Sequence, residues 1–280
     1  MNNNMISLKK QFEIWNEHFK DKTEESNQIG YNSIRKQMLA LAQNLASFKA
    51  YQQITILNPQ SNLNNIIFKD VFCENYYISQ SIRIRKLLSL DSRDYSLGFL
   101  WNDIKNKQFL SDELIKLYTS FNSASPKRTP TIDNVLENIA QLRVNHLINP
   151  KNKKIQKTIK TKLDNLLLFD NNKNLNDIYG FTNKYIAHSA NYNNRQNIVN
   201  EINETMIEQA IKDLTIACSA LHFFVTCNQT ISLLLNNYAD KLNSLDESQQ
   251  QIVHEVFELV ENESKDWISC GEKIINPLTP

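Results

Sequence analysis

Glycine and proline are scarce in this chain, four and six among 280 residues. Turn-rich β-sandwiches and barrels need both at regular spacing, so the scarcity points to an all-α fold. The glycines, at 30, 98, 180 and 271, are isolated. A Rossmann turn needs G-x-G-x-x-G and a P-loop needs G-x-x-x-x-G-K-[ST], so neither kind of phosphate cradle is encoded. Cysteine is equally sparse: Cys73, Cys218, Cys227 and Cys270 lie in helix-like segments without C-x-x-C spacing. That pattern fits reduced, buried thiols better than a disulfide framework or a zinc knuckle. No run approaches 18 apolar residues, and "MNNNMISLKKQ" has no apolar signal region. Neither export nor membrane association is expected, and a cytoplasmic setting follows. Charge of one sign is lacking too, since 31 basic and 30 acidic side chains leave a net +1. No global field draws the protein to nucleic acid or membrane, so any basic surface is local.

What is present is helical periodicity over a chain long enough for a full core, with 41% hydrophobic residues. Ile6, Phe12, Trp15 and Phe19 mark one amphipathic stretch within residues 5–25. A longer one, Tyr31 to Leu57, carries Ile34, Met38, Leu41, Leu45 and Phe48 and stops at Asn58-Pro59. Leu63 to Leu90 follows, with Ile67, Val71, Ile78, Ile82 and Leu88 on roughly one face and Arg83, Arg85 and Lys86 near its end, where cations suit the helix dipole. "DSRDYS", Asp91 to Ser96, supplies capping side chains for a helix carrying Leu97, Leu100, Trp101 and Ile104. Helices are also expected over about Ser111 to Phe121 and Thr131 to Ile148, separated by the loop "SASPKRTP". Beyond Pro150 the spacing gives a basic amphipathic helix to Phe169, a turn over Asp170 to Asp177, and a short helix through Ile178, Tyr185 and His188. An Asn-rich loop, a long apolar helix from Glu204 to about Cys227, and a last helix over about Glu247 to Trp267 complete the chain.

Few constellations carry chemistry. Lysines 151, 153, 154, 157, 160 and 162 form a basic face, but no aromatic residues interleave to stack bases, so a solvated helix face accounts for them. Cys218 and His222 share a helical face, yet their apolar neighbours read as core lining, and no metal or cofactor is expected. His18, His146 and His254 sit singly in amphipathic helices and read as structural. No nucleophile elbow occurs. The stretch "FTNKYIAHSA" differs, because Lys184 and His188 lie four apart with Phe181 and Tyr185 nearby and Asn183 upstream.

"TNKYIAHS", Thr182 to Ser189, resembles the Arg-x4-6-His motif region of HEPN domains, in the flavour of the abortive-infection branch. "SQSIRIRKLLSLDSRDYSLGFLWNDI", Ser79 to Ile104, is similar to the Arg-bearing helix, charged turn and Ser-Leu helix of that branch. The resemblance spans roughly Tyr31 to Asn236. It implies an antiparallel helical bundle over 31–236, flanked by helical extensions at 1–30 and 237–280. It also implies a homodimer that joins paired motifs in one cleft, and metal-independent RNA cleavage within a prokaryotic defence or toxin–antitoxin system, with an antitoxin or other protein as a further partner. The alternative is an inactive dimeric scaffold or an RNA- or nucleotide-binding module.

In active members Arg and His assist attack of a ribose 2′-OH on the adjacent phosphodiester. An imidazole titrating near about 6.5 moves the proton, and a guanidinium stabilises the charge gained at phosphorus. His188 maps onto the first role, with Asn183 as its polar partner. The Arg position holds Thr182 and Asn183 instead. Positive charge is therefore sought from Lys184, or from Arg83 or Arg85 on the upstream helix, with Tyr185 as a further substrate contact.

Overall fold

The computed structural model describes residues 8–21, 33–106, 153–183, 202–226, 230–233, 235 and 245–275. Among these the protein is all-α, with no strand. The helices are α1 (Leu8–Glu17), α2 (Ile34–Leu57), α3 (Ile66–Leu87), α4 (Leu97–Asn106), α5 (Lys153–Leu167), α6 (Lys173–Phe181), α7 (Glu204–Val225) and α8 (Glu247–Ile275). The expected helices at 111–121 and 131–148, and the loops at 123–130 and 191–197, lie outside the described residues.

The order is built around α7, against which each of the other described helices packs. Asn203 starts it by accepting from Met206 N–H at 3.0 Å. Its residues are apolar nearly all round, and Ala210, Ala217 and Ala220 keep its surface shallow so that neighbours approach closely. Its polar members are satisfied: buried Asp213 accepts from Asn172 Nδ2 at 2.8 Å and from Gln209 Nε2 at 2.7 Å. Cys218 is fully buried, which pushes its thiol pKa far up and makes it inert core. The thiols of Cys73, Cys218 and Cys270 are free.

The last helix runs eight residues past Trp267, where the sequence pattern fades, and packs along both α7 and α2. Gly271 explains the extension. A Cβ there would meet the Ile216 carbonyl oxygen and lie 2.8 Å from Ser219 Cβ, so the bare backbone lets α8 seat on α7. Ser219 Oγ donates to the Ile268 carbonyl at 2.8 Å beside it. Lys49 of α2 ties the three helices, 2.8 Å from Glu208 and 3.8 Å from Glu263. Burial works against its charge, but these carboxylates more than offset that and its pKa is raised.

Two expectations are corrected. The turn over Asp170 to Asp177 ends early, because Asn172 Oδ1 accepts from Leu175 N–H at 3.1 Å and starts α6 at Lys173. The apolar stripe expected along α3 meets the core only at its end, where Leu88 is buried. Ile67 is 71% exposed, Val71 52% and Ile82 43%, whereas Tyr76, Gln80, Ser81, Ile84 and Leu87 are buried. Gln80 fits there because its Nε2 donates to the Leu41 carbonyl at 3.1 Å, and Tyr76 because it stacks on Phe48 with centroids 3.9 Å apart.

Candidate functional site

The C-terminal end of α3 is held by Ile84, Leu87 and Leu88, all fully buried, so the residues between them have fixed directions. Arg85, in the last turn, projects toward the end of α6. There the chain widens into a π-type turn at Thr182 and Asn183. Thr182 is buried, its hydroxyl donating to the Ile178 carbonyl at 2.7 Å, which directs its side chain back along the helix and away from any ligand. Asn183, the next residue, turns outward and accepts from Arg85 Nε at 2.5 Å.

A second contact fixes the guanidinium. Arg85 Cζ lies 6.0 Å from the centroid of the Tyr179 ring, which packs on Phe169 at 4.2 Å. Tyr179 is four residues before Asn183, so one face of α6 supplies both the ring and the amide. With Nε committed, the edge formed by the two Nη groups has no protein partner among the described residues. That edge is the one with which a guanidinium grips an oxyanion through two parallel hydrogen bonds. The junction therefore holds an oriented guanidinium whose charge is not neutralised by any described carboxylate.

The structure brings Arg85 and Asn183 together. Arg83 is exposed and, two residues away on the helix, faces a different direction. Lys184, Tyr185 and His188 lie outside the described residues, as do His146 and Cys227. His222 is half-buried and a ring partner of Phe19, at 5.0 Å, while Cys218 lies in the core. The described lysines of α5 from Lys157 to Lys162 are exposed, opposite buried Ile159, Leu163 and Leu167. No group of three metal-ligating side chains occurs among the described residues, and no described helix is long and apolar enough to cross a membrane.

Protein-family models, curated proteins and solved structures give no match to this chain. Its chemistry must be argued from its own residues. Tyr179 is the one the sequence pattern did not single out. Its signal was the i, i+4 spacing to Asn183, legible only once Arg85 is known to arrive from another helix.

Proposed function

We propose that the protein is a HEPN-like, metal-independent RNA endonuclease in which Arg85 replaces the arginine missing from the Thr182–His188 motif. The observation that carries this reading is the 2.5 Å bond from Arg85 Nε to Asn183 Oδ1, which holds a guanidinium, its Nη edge without a partner among the described residues, against the residue five before His188 in the chain. In the proposed reaction His188 accepts the proton of a ribose 2′-OH as that oxygen attacks the neighbouring phosphorus. The 5′-oxygen leaves, taking a proton from solvent, and the Nη edge of Arg85 stabilises the charge gathered on the non-bridging oxygens. Lys184 and Tyr185, adjoining in sequence, add charge and a ring to the same substrate strand. Action within a prokaryotic defence or toxin–antitoxin system belongs to the same proposal. The test is incubation of mixed RNA with purified wild-type and His188→Ala protein in chelator. Cleavage by the wild type alone supports the reading, and equal cleavage by both removes it.

A second reading, a non-cleaving dimeric scaffold, has its own support in the exposed stripe of α3. Ile66, Ile67, Phe68 and Val71, with Ile56 and Leu57 at the end of α2, form an apolar corner. A contiguous exposed apolar patch of this kind marks an interaction surface. Lys69 and Glu74 flank it without an ion pair to any described residue, and two α3 helices crossing antiparallel near Val71 would set each lysine against the other copy's glutamate.

A further inference from the structure

Few ties hold α1 to the rest of the protein. Trp15 meets Phe224 of α7 with ring centroids 6.4 Å apart, and Phe19, in the turn after α1, meets the His222 ring at 5.0 Å. One carboxylate holds the polar side: Asp103 of α4 accepts from Trp15 Nε1 at 2.8 Å and from Gln11 Nε2 at 3.3 Å. With ten residues, α1 is too short to stay helical by itself in water, so leaving its seat and losing its backbone hydrogen bonds are one event. A terminal unit of this kind opens at lower cost than the core it rests on.

His18 lies where this unit closes. It is 94% shielded by its surroundings, at 6% exposure, with its ring edge-on to Tyr95 and stacked on Phe99 of α4. Its carbonyl accepts from Ile34 N–H at 2.8 Å, which ties the same residue to the start of α2. Its Nδ1 is shut off from solvent and has no hydrogen-bond partner. A neutral ring leaves that nitrogen without a proton. A charged imidazole carries N–H on both nitrogens, and the one at Nδ1 then lies buried with no acceptor. Among the titratable groups around it, Asp103 of α4 is the charge that acts on His18, and burial outweighs it in favour of the neutral ring. Tyr95 offers its ring, and His222 of α7 faces Phe19. At the start of α2, Arg35 is held by Asp21 at 2.6 Å, and Lys20 pairs with Glu17 at 2.6 Å.

We propose that His18 makes α1 an acid-released latch: when the ring takes up a proton, the α1 segment leaves its seat on α4 and α7 while the rest of the bundle stays folded. The released segment binds that proton more readily than the docked one, so release is promoted below the ordinary 6.5 and grows as pH falls. It uncovers the end of α7, where Phe224 and His222 meet Trp15 and Phe19. The latch lies on other elements than the Arg85–Asn183 junction and stands or falls independently of RNA cleavage.

The experiment is amide hydrogen exchange of the full-length protein by mass spectrometry at pH 7 and pH 5, each rate divided by the intrinsic rate at that pH. Protection within residues 8–19 falls several-fold, by about 30-fold at most, while that of α2 and α8 holds. His18→Phe and His18→Gln each erase the fall. Unchanged protection of α1 in the wild type overturns the proposal, as does an α1 already unprotected at pH 7. A loss shared equally by α1 and α8 is global unfolding and also overturns it, as does a fall that survives in either folded variant. Should neither variant fold, the wild-type profile decides alone, and it must show a loss confined to α1 that grows below about 6.5.

Discussion

At the scale of single residues, Arg85 and His18 are buried or braced in opposite ways. Arg85 sits at a junction where an amide and a ring orient its guanidinium and no described carboxylate pairs with it. Asn183→Leu removes the acceptor for Nε without touching charge, so RNA affinity falls only modestly while turnover drops about tenfold or more through lost orientation. Single-turnover rates against binding isotherms separate the two. His18 is a histidine made neutral by its setting. It is 6% exposed, edge-on to Tyr95 at 5.0 Å and stacked on Phe99 at 5.9 Å. Burial lowers its pKa from the ordinary 6.5, with Asp103 pulling the other way and losing. In the unfolded chain this histidine takes up a proton below 6.5 that the folded state resists, so acidification from pH 7 to 5 favours unfolding. The loss is at most about 2 kcal/mol by pH 5. His18→Phe keeps the ring packing, and its melting temperature is expected to vary less between pH 7 and 5 than that of the wild type. A parallel decline in both proteins would assign the acid sensitivity elsewhere.

At the scale of elements, helix–helix approach decides stability where a side chain is absent. Gly271→Ala drives a methyl group into the backbone of α7, and a loss of about 2–3 kcal/mol is expected in urea unfolding. Ser269→Ala, half-exposed on the same helix, serves as the matched control with little change. The same element shows what the sequence made legible. The apolar run placed the start of α7 at Glu204, and the proline signal placed the end of α2 before Pro59, because these are local patterns. The length of α8 was not legible, since an isolated glycine reads as a breaker until the neighbouring backbone is known. The side of α3 that meets the core was misleading for a related reason. Ile67, Val71, Ile78 and Ile82 are the better apolar stripe, yet aromatic stacking by Tyr76 and the Gln80 bond to Leu41 select the other face. Periodicity shows that a helix has an apolar face and is silent on which partner covers it. The Arg85–Asn183 bond joins residues 98 apart, a pairing no local pattern encodes.

At the scale of the whole molecule, two surfaces sit at the two ends of α3, the Arg85 junction at its C-terminal end and the apolar corner shared with α2 at its N-terminal end. If the corner joins two copies, Ile67→Asp with Val71→Asp lowers the mass measured by light scattering toward 32.6 kDa. Lys69→Glu with Glu74→Lys preserves the assembly that either charge change alone weakens. A wild-type mass already at the monomer value contradicts that arrangement. The account's central claim is that Arg85 provides the phosphate charge missing from the motif around His188. Its most direct test is the cleavage rate of one RNA oligonucleotide, in chelator and at saturating protein, for wild type, Arg85→Ala and Arg83→Ala. The account predicts that Arg85→Ala slows cleavage by about 10²–10³ while Arg83→Ala stays near the wild-type rate. Cleavage by Arg85→Ala at the wild-type rate would contradict it.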